Sequence, residues 1–393
     1  MIQQLLKATE AQFKKKFKTS DTAFLFADDE RPPTGIIVDN PLLEYILDRR
    51  FMAWGRFYLT FGKKGSCKTS MFFDLAKLFQ RNGGEVVWLE TENAADLDYA
   101  RKQGVDTSRM VLQHPQSLEE ALNLAEMYIR NLPKVDPDQT TPLLICLDSI
   151  AGSSTEYEQD QGNNMTDQVP GTHARLLSRF YREMEHPLAQ EKCIFLALNQ
   201  LKEKIGGMSF GAEPPESMMG GNAPLFSSTC QWKMARKGDL KKKNLAGVER
   251  KYGSKHILSC KRNKLGREGF GQEIEFDMFI NGGVDWFSPL VKMIGEHYTD
   301  LISRESAASN TWRVPDCTYL DAEGVPQPIP TDQHYHERDL GAIIARSTDA
   351  KELIRKAFEI PDLPDAATIA AVETDMKKKR TSRKKKSLEE TPD

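Results

Sequence analysis

The chain has 393 residues, 39% of them hydrophobic, and a formal net charge of −3; that length suits about two to three domains with a sizeable core and excludes a disordered chain. No apolar run reaches the ~20 residues that a membrane-spanning helix needs, and Met1-Ile2-Gln3-Gln4 opens no signal-peptide pattern. Six cysteines are scattered at 67, 146, 193, 230, 260 and 317 without a C-x-x-C pair, which argues against a disulfide framework or a zinc site and for a soluble protein of a reducing cytoplasm, with no membrane partner.

Residues 1–20 read as a basic amphipathic helix, with Ile2, Leu5, Leu6, Phe13 and Phe17 on or near one face and Lys7, Lys14, Lys15, Lys16 and Lys18 elsewhere. A linker over 21–40 holds one short apolar run, Ala23-Phe24-Leu25-Phe26, before Arg31-Pro32-Pro33. From about 41 to 290, apolar strands alternate with helical patterns. Strands are predicted at 57–61, 85–89, 110–112, 143–147 and 193–198, with later ones near 230–234, 256–261 and 272–280. Helical intervals between the early strands imply right-handed crossovers and an α/β fold with a mostly parallel twisted sheet. Ligands then belong at the carboxyl ends of those strands.

The first of these strands runs into Phe61-Gly62-Lys63-Lys64-Gly65-Ser66-Cys67-Lys68-Thr69-Ser70, a phosphate loop in which Cys67 stands where G-x-x-x-x-G-K-[ST] wants its second glycine. Strand, loop and helix follow in the order that the motif requires. Gly62 and Gly65 let backbone N–H groups turn inward toward phosphates, and the helix N-terminus adds partial positive charge. Lys68 is expected on the β- and γ-phosphates and Thr69 on Mg²⁺, so Gly62, Lys63, Lys64, Gly65, Ser66, Cys67, Lys68, Thr69 and Ser70 form the nucleotide-binding candidates. Cys67 is expected at an ordinary negative φ where loop becomes helix. Beside Lys68 at a helix N-terminus its thiol is expected to have a lowered pKa, and its alkylation to block ATP binding.

Two further strand ends fit the same edge. Leu143-Leu144-Ile145-Cys146-Leu147-Asp148 ends a buried strand in an acid placed to organise the magnesium ion. Val86-Val87-Trp88-Leu89-Glu90-Thr91-Glu92 leaves two carboxylates past another strand, one of which could orient and deprotonate the water that attacks a γ-phosphate.

Glu92-Asn93-Ala94-Ala95-Asp96-Leu97-Asp98-Tyr99-Ala100-Arg101-Lys102-Gln103-Gly104-Val105-Asp106 resembles the RecA family of recombinases. The resemblance implies that Glu92 is the catalytic base, Asp96 the adenine contact and Tyr99 the stacking ring. Leu198-Asn199-Gln200-Leu201-Lys202-Glu203-Lys204 is similar to the strand whose terminal glutamine senses the γ-phosphate, here Gln200, and leads into the second DNA loop. That loop would run from Leu201 to Met219, with Lys202, Lys204, Met208 and Phe210 mixing charge and apolar wedges. It would end at Gly220, Gly221 and Asn222. The polar stretch between Ser153 and Thr172 would be the first DNA loop, and Arg175 matches a DNA-contacting arginine. Lys261-Arg262-Asn263-Lys264 matches the place where two basic residues, Arg262 and Lys264, enter a neighbouring subunit's nucleotide site. The missing loop glycine is similar to the phage, UvsX-like branch.

These likenesses imply a RecA-like P-loop ATPase core over 41–290, an N-terminal oligomerisation helix and linker over 1–40 and a small C-terminal α/β domain over 291–370, while the Lys- and Arg-rich composition makes 371–393 a basic disordered tail. They imply an ATP- and Mg²⁺-dependent recombinase that forms helical filaments on single-stranded DNA and exchanges strands with homologous duplex. A single-strand-binding protein and a loader are further implied partners. The tail, rich in Lys and Arg over 377–386, departs from the acidic tails of the family and is expected to gather duplex DNA. A hexameric replicative helicase with the same core is one alternative. A regulatory DNA-binding ATPase without strand exchange is another, because Leu225 stands where cellular relatives usually carry a basic residue.

Overall fold

The computed structural model describes residues 2–16, 32–160, 171–203, 216–243, 247–267, 273–298, 302–304, 312–313, 317–321, 323–330 and 335–374. Lys204, Met208, Phe210, the Phe24-Leu25-Phe26 run and the basic tail lie outside them.

The chain opens with α1 (Ile2–Lys16), which buries none of its residues and leaves Ile2 and Leu5 exposed. A two-stranded ladder of β1 (Gly35–Ile37) and β2 (Phe51–Ala53) flanks α2 (Pro41–Leu47), whose N-cap Asn40 accepts from the Leu42 and Leu43 N–H groups. The alternating region follows as β3 (Arg56–Gly62), α3 (Lys68–Arg81), β4 (Glu85–Glu90), α4 (Leu97–Lys102), β5 (Met110–Gln113), α5 (Leu118–Val135) and β6 (Leu143–Asp148). Then come α6 (Glu156–Asp160), α7 (Thr172–Leu188), β7 (Cys193–Glu203), β8 (Glu216–Met218) and α8 (Ala223–Ser227). The later strands are β9 (Cys230–Lys243), β10 (Glu249–Asn263), β11 (Glu273–Phe279) and β12 (Gly283–Asp285), followed by α9 (Phe287–His297), α10 (Glu337–Ala345) and α11 (Thr348–Ala357).

The main sheet has the order β12-β11-β10-β9-β3-β7-β6-β4-β5. From β9 to β5 all neighbours are parallel, and β10 to β12 add an antiparallel flank. Parallel strands covered on both faces read as unbroken apolar runs, and β6 is buried at every position. One face packs Phe72, Phe73 and Phe79 of α3 with Trp88, Trp232 and Leu290. The other packs Leu118, Ala121 and Ala125 of α5 with Leu177 and Phe180 of α7. Ile329, Leu340, Ile344, Ile354 and Phe358 join the first of these clusters, so the described C-terminal segment shares a core with the sheet.

Two strands run well past their predicted ends. β7 continues to Glu203 and pairs antiparallel with β8, Leu201 opposite Met218 and Lys202 opposite Ser217. Leu201 and Lys202 therefore stand in a ladder at the foot of the expected loop, a correction to reading the loop from Leu201 onward. β9 and β10 form a long hairpin beyond Met234, which is level with Gly62 of β3. Its Lys-rich strands carry no apolar alternation to announce them, and cross-strand backbone pairing holds them. Glu156–Asp160 forms a helical turn within the polar stretch expected to be a loop, whose residues 161–170 lie outside the description.

Candidate functional site

The parallel strands deliver β3, β4, β6 and β7 to one edge, and their ends carry the side chains that matter. At the end of β3, a Cβ on Gly62 would stand 2.2 Å from the Met234 carbonyl oxygen, so no larger residue fits the turn. Gly65 takes φ +77°, which a glycine adopts at little cost. Lys68, at the first position of α3, is buried and donates through Nζ to the carbonyls of Gly62 at 3.2 Å and Lys63 at 3.3 Å. Burial lowers its pKa, opposed by the charges of Asp148 and Glu92.

Thr69 Oγ1 donates to Asp148 Oδ2 at 2.9 Å, joining the loop helix to the end of β6. Burial pushes the Asp148 carboxyl up to about 6, partly offset by the Thr69 hydrogen bond. A hydroxyl and a carboxylate side by side make a hard-oxygen pair, the donor chemistry that Mg²⁺ prefers. The residues present therefore fit that ion.

The two acids at the end of β4 and just past it, Glu90 and Glu92, have separate contacts. Glu90 is buried and its Oε1 accepts from the backbone N–H groups of Glu92 at 2.9 Å and Ala94 at 3.2 Å, while its Oε2 lies 3.0 Å from His114 Nδ1. It shapes the turn. Glu92 is exposed, and its Oε1 accepts from Ser149 Oγ at 2.6 Å and from Gln200 Nε2 at 2.6 Å. Thr91 braces the same corner: its N–H donates to the Asp148 carbonyl at 2.8 Å and its Oγ1 to the Ser149 carbonyl at 2.8 Å. Glu92, Asp148, Lys68, Thr69 and Gln200 thus converge on one edge.

Asp96 caps α4, accepting from the Tyr99 N–H at 2.8 Å, and the Tyr99 hydroxyl lies 3.3 Å from Ser70 Oγ. This brings Tyr99 beside the start of α3. Arg175 is exposed on the first turns of α7, and Gly220, Gly221 and Asn222 follow β8 after Met219. Asn199 Nδ2 donates to the Met219 carbonyl at 2.9 Å, tying that segment to β7.

Two expectations about Cys67 are corrected. It takes φ +66°, a left-handed conformation, rather than a negative φ. Its thiol is pushed up by burial rather than lowered, and its Sγ lies 3.2 Å from His256 Nε2. Burial drives the His256 imidazole down to about 4, so at neutral pH it offers Cys67 no positive charge.

Arg262 and Lys264 lie away from this edge. Arg262 pairs with Gln231 and Asn263 with Cys230, which is level with Tyr58 of β3, four residues before Gly62; at ~3.3 Å per residue that is about 13 Å away along the strand. Lys264 Nζ donates to the Phe226 carbonyl at 2.7 Å. Much of the basic density on the hairpin is matched by acids: Arg236 and Lys251 with Asp239, Lys237 with Glu275, Lys241 with Glu249 and Lys255 with Asp277.

A family model for the RecA N-terminal domain matches residues 6–285. The chain belongs to the RecA family. Protein RecA of Bartonella bacilliformis is 30% identical over 239 residues, 61% of this chain and 63% of that protein. Protein RecA of Geobacter sulfurreducens is 30% identical over 288 residues, covering 72% and 79%, and that of Corynebacterium pseudotuberculosis 30% over 292 residues, covering 74% and 73%. The match to the Bartonella bacilliformis protein spans about 63% of that relative's length. Among the described residues of this RecA-family chain, no helix is long and apolar enough to cross a membrane.

Sequence reasoning missed Ser149, Thr91 and His256 as parts of this RecA-family site. Ser149 follows directly on Asp148, so the strand-end motif could have flagged it. His256 lies 189 residues from Cys67, and nothing local to either residue signals the contact.

Proposed function

We propose that this chain is an ATP-dependent DNA recombinase that assembles as a helical filament on single-stranded DNA and exchanges strands with homologous duplex. The observation that carries the reading is Glu92, held by Gln200 at the foot of the β7–β8 ladder and by Ser149 after β6. A carboxylate so placed orients and deprotonates the attacking water. Its bond to Gln200 connects that chemistry to the segment proposed to meet DNA.

Gly62 to Ser70 wrap the phosphates of ATP, with Lys68 on the β- and γ-phosphates, and Asp96 and Tyr99 hold the base. Thr69 and Asp148 would hold Mg²⁺, which supplies charge neutralisation for phosphoryl transfer. Arg262 and Lys264, remote from this chain's own loop, reach a neighbour's nucleotide, which requires a head-to-tail assembly; contacts that do not close build a helical filament. The unburied α1 suits docking on an adjacent core. Arg175, Lys202, Lys204, Met208, Phe210, Gly220, Gly221 and Asn222 contact DNA. We place the chain in the phage, UvsX-like branch on its substituted loop glycine. The division into 1–40, 41–290, 291–370 and 371–393, a cytoplasmic location, and partnership with a single-strand-binding protein and a loader belong to the same reading.

Electron microscopy with a non-hydrolysable ATP analogue and single-stranded DNA tests it. Helical filaments are expected, whereas closed hexamers would indicate a helicase and neither form a regulatory ATPase. A joint-molecule assay then tests strand exchange. Deleting residues 1–30 is expected to abolish filaments and leave ATP binding intact.

A further inference from the structure

Cys230 opens β9 and Cys260 stands near the end of β10, on adjacent antiparallel strands. Cys260 is opposite Trp232, and both cysteines pack on the face of the sheet that Trp232 occupies. Cys230, two residues before Trp232 on β9, is the diagonal neighbour of Cys260 on that face. A break in register follows at once between Cys260 and Arg262, where Arg262 opposes Gln231 and Lys261 is the extra residue. The two sulfur atoms lie 3.9 Å apart.

We propose that Cys230 and Cys260 form a redox-sensitive dithiol whose closure to a disulfide controls the adjoining segment that carries Arg262 and Lys264. The pair is asymmetric in access: Cys230 is 1% exposed, while Cys260 is only partly buried. Cys260 is thus the residue that meets a solvent oxidant and Cys230 the one that resolves it. Their acidities run the same way. A hydrogen bond from Cys230 lowers the Cys260 thiol, and burial raises Cys230.

The oxidant is a peroxide. The Cys260 thiolate attacks one oxygen of hydrogen peroxide, the O–O bond breaks, and a sulfenic acid forms as hydroxide leaves and takes up a proton. Cys230 then gives up its proton and attacks Cys260 Sγ; the S–O bond breaks and the oxygen leaves as water. Two thiols and one peroxide become one disulfide and two waters, and a dithiol reductant reverses the change.

Closure draws the sulfur atoms from 3.9 Å to about 2.05 Å. The segment it moves is tied down on both sides of the pair. Cys260 Sγ lies 3.5 Å from the Arg262 carbonyl, and the Lys264 N–H donates to the carbonyl of Thr229, next to Cys230, at 2.9 Å. The functional consequence rests on the reading that Arg262 and Lys264 complete a neighbour's site. Turnover should then fall while each subunit's own loop still binds ATP.

The full chain treated with dilute hydrogen peroxide provides the test. Non-reducing peptide mapping is expected to find Cys230 joined to Cys260, and the thiol titre of the unfolded chain to fall from six to four. DNA-stimulated ATPase should fall at least about tenfold, return with dithiothreitol, and resist peroxide in Cys260→Ser and in Cys230→Ala. Binding of a fluorescent ATP analogue should stay unchanged. Absence of the cross-link, or a Cys260 that runs on to sulfonate without it, overturns the dithiol. A cross-link that leaves turnover unchanged overturns its control of the segment. Arg262→Ala measured alongside separates the two ideas, because unchanged turnover in that variant would place the fault in the neighbour-site reading.

Discussion

Gln200 Nε2 donates to Glu92 Oε1 at 2.6 Å, and this bond joins the end of β7 to the carboxylate proposed as general base. Ser149 donates to the same oxygen at 2.6 Å, so losing Gln200 leaves Glu92 positioned but disconnected from the β7–β8 ladder. Gln200→Ala is therefore expected to reduce DNA stimulation of ATPase by about tenfold, within the usual range of coupling free energies, and to spare DNA-independent turnover. Glu92→Gln keeps the two donors nearby but removes the base, and should lower turnover by about 10²-fold or more with ATP binding retained. Steady-state ATPase with and without DNA, beside nucleotide binding, checks both. Equal losses in the two Gln200→Ala measurements would show that the bond positions Glu92 rather than couples it.

Asp148 illustrates a site residue that weakens the fold it serves. Its carboxyl is raised from 3.8 to about 6 by burial, so the folded chain binds a proton more tightly than the unfolded one. A raised carboxyl favours folding when protonated; stability falls as pH rises from about 4 to 6, and the cost is complete at pH 7. At ~1.4 kcal/mol per unit the upper bound is about 3 kcal/mol. Asp148→Asn, which can still accept from Thr69, is expected to raise the Mg²⁺-free melting temperature at pH 7 and lose that advantage near pH 4, while abolishing Mg²⁺-dependent turnover. Thermal unfolding across pH is the measurement, and an unchanged melting temperature at pH 7 would count against the buried-charge account.

Cys67 carries two consequences of its φ of +66°. Left-handed backbone costs a non-glycine residue about 1–2 kcal/mol. Cys67→Gly should therefore stabilise the chain by about 1 kcal/mol with ATP binding kept. Cys67→Val, with a β-branched side chain in that conformation, should destabilise it. The raised thiol predicts slow alkylation at neutral pH that accelerates as pH rises, with ATP protecting. Fast labelling at pH 7 would restore the expectation of a lowered thiol.

The parts legible in sequence were those whose physics is local. β3, β4, β6 and β7 are continuous apolar runs because helices cover both faces, and Asp148 stands out as the acid that ends one such run and Glu92 as an acid two residues past another. The β9–β10 extension was hidden because backbone pairing, not apolar alternation, holds Lys241 to Lys243 in a strand. The division of labour between Glu90 and Glu92, two residues apart, depends on which one meets the N–H groups of the following turn. The Cys67 backbone and its His256 neighbour depend on the packing of β10 beside the loop. The closeness of Cys230 and Cys260 depends on the register of β9 against β10, which no spacing within either strand foretells.

The C-terminal segment is fastened by charge as well as by its shared core. Arg355 of α11 donates to Glu44 Oε2 at 2.6 Å and Oε1 at 2.7 Å, and to Asp39 and Glu352 at 3.0 and 2.8 Å. Glu44 is fully buried on α2 and Arg355 nearly so. Removing one member of such a pair strands a charge and costs about 3–5 kcal/mol, whereas replacing both by apolar residues can be close to neutral. Arg355→Met is thus expected to lower the unfolding free energy measured by denaturant titration by that amount, Glu44→Met to do so comparably, and the double variant to recover most of the loss. Lys351, which donates to Asp39 at 2.7 Å, keeps part of the clamp in every variant. Limited proteolysis should show the segment after residue 298 cut first in Arg355→Met, because α11 is the element that loses its anchor. If the double variant is as unstable as the singles added together, the two side chains act independently and the bidentate pair is not what fastens α11 to α2.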